Sequence, residues 1–162
     1  MRYQALTQCL LISLMSLGLL ACGGGGAIDT LFKSETGVEL TIISSKDLNP
    51  DRDGRPSPVI IKVFALSDER QFKREDFLSL YEDPAERLGS DLLDSFQLKE
   101  FSPEETRTET LLLSPETRFI GLMAEYQQYD RAEALLTLPI RPNKTTKLTI
   151  KAERLRIISA DE

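Results

Sequence analysis

The octet Val59 to Leu66, V-I-I-K-V-F-A-L, constrains this chain more than any other stretch. It is almost continuously apolar and rich in β-branched residues, so it reads as an interior strand that must be covered on both faces and that forms the centre of the fold. The thirteen residues before it, K-D-L-N-P-D-R-D-G-R-P-S-P from Lys46 to Pro58, hold three prolines, a glycine and several Asx residues, which exclude both helix and ladder. They predict a long, stiffened, exposed loop. Upstream of that loop, Val38, Leu40 and Ile42 alternate with Glu39 and Thr41, the pattern of a half-buried strand.

After the central strand, Ser67 or Asp68 is a suitable cap for a helix running to about Glu82, with Phe72, Phe77, Leu80 and Tyr81 near helical spacing and Asp83-Pro84 as its stop. The remaining strands are expected at Phe96 to Phe101, Thr106 to Leu113, Phe119 to Tyr126, Glu133 to Ile140 and Lys147 to Arg156, separated by turn signals. Seven short strands and one helix make a mainly β chain, a two-sheet β-sandwich with one inserted helix after the second strand.

The first residues carry the zones of an export signal: Arg2, an apolar run from Ala5 to Leu20, and Ala21 before Cys22. The run Leu19, Leu20, Ala21, Cys22 has the form of a bacterial lipobox, in which the cysteine receives diacylglycerol and becomes the first mature residue. A processed lipoprotein carries three acyl chains, palmitate among them, and such attachment is effectively lasting. An uncleaved transmembrane anchor is the competing reading, but Thr7, Gln8, Ser13 and Ser16 dilute a run already at the short limit. Gly23 stands where an aspartate would favour inner-membrane retention, so the expected location is the outer membrane, facing the periplasm. The domain expectation is a signal peptide over 1–21, a lipidated cysteine and Gly-rich tether over 22–36, a sandwich over 37–158 and a tail over 159–162.

Removing the signal leaves 141 of 162 residues, enough for one core. The mature net charge is near −7, from 26 carboxylates against 19 bases, which argues against nucleic acid and against a polybasic hold on anionic lipid. Cys9 leaves with the signal and Cys22 is lipidated, so no disulfide is available and the hydrophobic core must supply stability. There is no histidine, which removes Ser-His-Asp and Cys-His chemistry and the commonest zinc ligand. No cofactor, no metal and no small-molecule substrate are expected, and the chain reads as a non-enzyme.

Four local patterns were weighed. Asn49, Asp51, Asp53 and Gly54 occupy positions 1, 3, 5 and 6 of a calcium loop, but Ile60 stands where the bidentate glutamate is required. The carboxylate pairs Glu104/Glu105 and Asp91/Asp94, which a glycosidase would need, fall near turns. Asn143-Lys144-Thr145 is a sequon read as turn chemistry, and Gly121 marks a bulge or a close backbone approach. The proline-stiffened loop is the remaining candidate, because a rigid exposed loop binds a partner at low ordering cost.

Three runs behind the lipobox carry a resemblance: L-N-P-D-R-D-G-R-P-S-P-V-I-I-K-V-F-A-L (Leu48 to Leu66), F-K-R-E-D-F-L-S-L-Y (Phe72 to Tyr81) and L-S-P-E-T-R-F-I-G-L-M-A-E-Y (Leu113 to Tyr126). Together they resemble the outer-membrane lipoprotein of the type VI secretion system, the TssJ (SciN/VasD-like) family. The resemblance implies a transthyretin-like sandwich and a non-catalytic role, binding the periplasmic C-terminal region of the inner-membrane protein TssM in a TssJ-TssL-TssM complex. It implies that the loop between the first two strands makes the contact, which points to Asn49, Pro50, Asp51, Gly54, Arg55 and Pro56 as partner-binding residues, with Arg55 offering a bidentate hydrogen bond to a partner carboxylate. One departure is the stretch Tyr129, Asp130, Arg131, Ala132, where related sequences often carry a tryptophan. The alternatives are another lipoprotein binding module, such as a pilotin or assembly factor, and a lipid-anchored envelope hydrolase.

Overall fold

The computed structural model describes residues 35–160; the signal peptide, Cys22 and nearly all of the tether lie outside them, as do the last two residues of the tail. Among the described residues, eight strands form two four-stranded sheets: β1 (Thr36–Ser44), β2 (Ile61–Leu66), β3 (Leu92–Gln97), β4 (Thr106–Leu113), β5 (Phe119–Ala124), β6 (Leu135–Pro139), β7 (Thr145–Glu153) and β8 (Arg156–Ser159). One sheet has the order β4-β1-β7-β8 and the other β3-β2-β5-β6. All pairings are antiparallel except β1 with β7, which run parallel in register Leu40 to Leu148.

The alternation read in β1 is the one that packs. Val38, Leu40 and Ile42 are fully buried, while Glu39 and Thr41 stand on the other face. In β2 both faces are covered, as its composition requires. Ile61, Val63 and Ala65 enter the core between the sheets, with Leu40, Leu122 and Ile150. Phe64 and Leu66 enter a second, smaller core on the outer face with Phe72, Leu80, Leu88 and Met123. The segment between β2 and β3 exists to roof that outer face.

That roof differs from the single helix expected over Ser67 to Glu82. A short 3-10 turn covers Phe72–Arg74, Glu75 is extended, and two helices follow, α1 (Phe77–Glu82) and α2 (Pro84–Leu88). Two aspartates cause the break. Asp76 caps α1 by accepting from the Ser79 amide at 2.9 Å, and Asp83 caps α2 from the Glu86 amide at 3.1 Å, with Pro84 at the first helical position. Asp83-Pro84 thus ends α1 at Glu82, as expected, and also starts α2, since proline lacks only a donor that the first turn of a helix leaves unpaired anyway.

Two strand expectations also move. The third strand lies at Leu92–Gln97, four residues earlier than Phe96 to Phe101, because Leu92 and then Asp94 to Gln97 pair with β2 across a register shift at Leu93, and Phe101 makes only an isolated bridge to Val59. Lys147 to Arg156 is two strands, β7 and β8, folded back at Arg154 and Leu155 without a glycine or asparagine to announce the turn. Gly121 resolves as a close approach: its register with Phe64 and Thr137 is regular, and a Cβ there would meet the Phe72 ring at 2.6 Å. Gly121→Val is expected to lower unfolding free energy by about 1–3 kcal/mol in urea titrations through displacement of Phe72, with the sandwich retained by circular dichroism.

Candidate functional site

The connection from β1 to β2 is ordered from within. Its foot is buried: Leu48 is fully covered and Asn49 is 2% exposed. Asn49 adopts φ +44°, in the left-handed region that asparagine tolerates better than most side chains. Its amide nitrogen donates to the Pro58 carbonyl at 2.6 Å, which closes the two legs of the loop on each other. Its side-chain oxygen accepts from the Gln127 amide at 2.8 Å, and its own backbone N–H donates to the Arg154 carbonyl at 2.9 Å. One side chain therefore ties the loop to the segment after β5, and its main chain ties it to the β7–β8 turn.

Neighbouring groups reinforce the foot. Gln128 donates to the carbonyls of Pro50 and Asp51 at 2.9 and 3.3 Å. Tyr126, 2% exposed, directs its hydroxyl at the Arg156 carbonyl at 2.6 Å, with the Glu153 carbonyl at 3.1 Å, and burial holds its phenol far above the usual tyrosine range. The exit of β5 and the β7–β8 hairpin are thus locked together beneath the loop.

Beyond Pro50 the loop turns on Asp51. The Asp51 carbonyl accepts from the Gly54 amide at 3.0 Å, and Gly54 takes φ +79° with open space around its Cα. The Asp51 carboxylate accepts from the amides of Asp53 and Arg55, both at 2.9 Å, and from Arg55 Nε at 2.8 Å. The Arg55 amide, first among these donors, helps hold the Asp51 carboxyl below its usual value, so it is ionised throughout the neutral range. Arg55 Nη2 also reaches Asp53 at 2.9 Å. The oxygens that a calcium loop would aim at an ion are aimed instead at these internal donors.

The structure divides the six residues singled out from the sequence. Asn49 and Pro50 are buried in the foot, where they set the loop's shape, and Asp51 is directed inward. Gly54, Arg55 and Pro56 stand at the exposed tip. Arg55 is not the free fork expected, because two of its nitrogens are engaged, although its side chain is 73% exposed. Sequence reasoning missed Arg52, an exposed cation at the tip, and Gln127 and Gln128, which brace the loop from 78 residues away. Arg52 was legible as a charge in a turn; the glutamine contacts had no local signal.

The carboxylate pairs weighed for hydrolysis have structural surroundings. Glu105 accepts from the Ser102 amide at 2.8 Å and pairs with Arg107, whose guanidinium lies 3.8 Å above the Phe101 ring. Glu104 stands at a turn with φ +61°, as does Asn143 of the sequon with φ +57°. Asp94 accepts from the adjacent Ser95 amide at 2.8 Å.

Asn49→Ala is expected to cost about 2 kcal/mol, from a buried amide and carbonyl left unpaired and a non-glycine residue kept at positive φ. Amide exchange should quicken at Gln127 and Ser57 while β1 and β7 remain protected; unchanged exchange at Gln127 would remove Asn49 from its bracing role.

Residues 36–155 match the family described as Type VI secretion lipoprotein, VasD, EvfM, TssJ, VC_A0113. The chain aligns with the type VI lipoprotein TssJ1 of Pseudomonas aeruginosa at 27% identity and TM-score 0.71, over 76% of this chain and 94% of that one. It aligns with Serratia marcescens Lip, a membrane-bound component of the type VI secretion system, at 25% identity and TM-score 0.71, over 79% and 98% of the two chains. A chain of a structure described as a type VI membrane complex shares the fold at 19% identity and TM-score 0.66, over 76% of this chain and 97% of that one. No curated protein matches the chain. The match runs from β1 through β7 and includes the loop between β1 and β2: the chain belongs to the type VI secretion lipoprotein family that includes VasD and TssJ.

Proposed function

We propose that this lipoprotein is anchored in the outer membrane through lipid on Cys22, faces the periplasm, and tethers the periplasmic C-terminal region of TssM within a TssJ-TssL-TssM assembly. The tip of the β1–β2 loop, from Asp51 to Pro56, makes the contact, and the Gly-rich segment after Cys22 gives it reach. Its role is structural. The observation that supports the loop assignment best is that an exposed tip rests on a buried, fully bonded foot: Asn49 is 2% exposed and its side chain makes two hydrogen bonds, one to each flank.

The energetic logic follows from that arrangement. A loop already closed by Asp51, Gly54 and three prolines has little conformational entropy left to lose on docking. The exposed Arg52 supplies charge for a partner carboxylate, while the Arg55 guanidinium keeps the tip in shape and presents its outer edge. Gly54 has no atom within 4 Å of where a Cβ would sit, so a large side chain there projects outward and obstructs a docked partner without crowding the domain.

The test is a pull-down from envelope extract with the full chain and with two variants, Gly54→Trp and the double substitution Asp51→Ala with Arg55→Ala. The wild type should recover TssM and both variants should lose at least about tenfold in affinity, while the sandwich stays folded by circular dichroism and the thermal midpoint falls only by what a side chain at the positive φ of Gly54 and the loss of the Asp51 bonds cost locally. Recovery of TssM by both variants would move the contact to another surface. Failure of the folded wild type to recover TssM would leave a pilotin-like or assembly module as the better reading.

A further inference from the structure

A second surface adjoins the loop. The chain that braces the loop through Gln127 and Gln128 continues into Tyr129, whose ring stacks on Phe77 of α1 at 5.4 Å and 15°; Phe77 stacks in turn on Tyr81 at 5.7 Å and 22°. Beside this stack lies an open groove of about 830 Å³ between α1 and the segment leading into β6, floored by Phe77, Ala134 and Leu135. Leu78, Tyr81 and Tyr129 are 44%, 49% and 43% exposed, and they form a concentration of large apolar surface that the domain itself leaves uncovered.

The groove's charge is one-sided. Asp76, Glu82, Asp130 and Glu133 line it and no lysine or arginine does. Arg131 stands at one corner, 3.8 Å from Asp130 with both side chains about 70% exposed, a separation and exposure that make for weak pairing. Lys62 is occupied over the Tyr81 ring at 4.8 Å. The Asp76 carboxyl is held below its usual value chiefly by the Ser79 amide that it caps, so it remains an anion at neutral pH.

We infer that this groove is a docking site for a polypeptide segment of the partner protein that carries an apolar or aromatic anchor flanked by lysine or arginine. Charge complementarity selects that occupant: four carboxylates around an aromatic floor attract a cationic segment and repel an acidic one. Exposed tyrosines beside leucine have the composition of surfaces that supply binding energy at low ordering cost. The location fits a composite interface, because Gln128 bonds the foot of the loop and the next residue is the tyrosine of the groove. The inference rests on the reading that the chain binds TssM, and it names a second contact with that same partner.

The experiment measures affinity of the full chain in detergent for the periplasmic C-terminal region of TssM, with Tyr129→Ala, Tyr129→Phe, the pair Glu82→Lys with Glu133→Lys, and Gly54→Trp at the loop tip. Tyr129→Ala should weaken binding by about tenfold, and Tyr129→Phe should leave it within about twofold. The charge reversal should weaken binding by about tenfold at low salt and flatten its salt dependence, since the attraction it removes is screened by salt. The groove substitutions are at exposed side chains, where an unchanged thermal midpoint confirms the fold, and for Gly54→Trp, strained by the positive φ of that position, retained circular dichroism does so. Loss with Gly54→Trp and wild-type affinity in every groove variant overturns the groove while the TssM reading stands. Tighter binding after charge reversal overturns the cationic occupant. No binding by the wild type overturns the TssM reading and the groove with it.

Discussion

Strand β2 lies between two apolar layers, and the rest of the molecule follows from sealing both of its faces. Toward the other sheet it places Ile61, Val63 and Ala65 against β1 and β7; on its outer side Phe64 and Leu66 need a cover of their own. The 3-10 turn and the two short helices provide it, with Phe72 seated 5.8 Å from the Phe64 ring and against the bare backbone of Gly121. No cysteine follows Cys22 in the sequence to cross-link these layers, so burial of apolar surface is what holds them. The same roof sets Phe77 and Tyr81 beside the segment after β5, so the aromatic stack at the groove is a by-product of closing the second core.

The loop between β1 and β2 uses a different physics. Its burial is confined to Leu48, Asn49 and Pro50 at the foot, and its order comes from saturating polar groups: Asn49 on one side, the Asp51 carboxylate on the other, with Gly54 at positive φ where the chain reverses. A polar scaffold of this kind fixes a shape while leaving the outer surface of the tip free for contact. It is also anchored to the sandwich through Gln127 and Arg154, next to the buried hydroxyl of Tyr126.

How much of this was legible in the sequence depends on the range of the interaction. Period-two alternation placed β1, and an unbroken apolar run placed β2 with both faces covered, because those patterns are set by the two sheet faces themselves. Proline, glycine and Asx residues located the loop and its turn. The TssJ-like motifs led to the family that the comparisons then established. What the sequence hid was of two kinds. Local rules competed at Asp83-Pro84, which serves equally as a helix stop and a helix start, and at Arg154-Leu155, a tight turn without turn residues. Long-range polar contacts were invisible altogether: nothing near Asn49 says that it is buried, or that Gln127 and Gln128 brace it. Hence Asn49 and Pro50, expected among the partner-binding residues, lie buried in the foot of the loop.

The proposed contact is a prefolded tip, borne on that foot, meeting the partner. Site-specific photo-cross-linking in cells, with the photoreactive residue placed singly at positions 52, 54 and 56 and, for comparison, at Thr108 on the outer face of the other sheet, tests it most directly. The account predicts a product containing TssM from the tip positions and none from position 108. A TssM adduct from position 108 together with unreacted tip positions would contradict it.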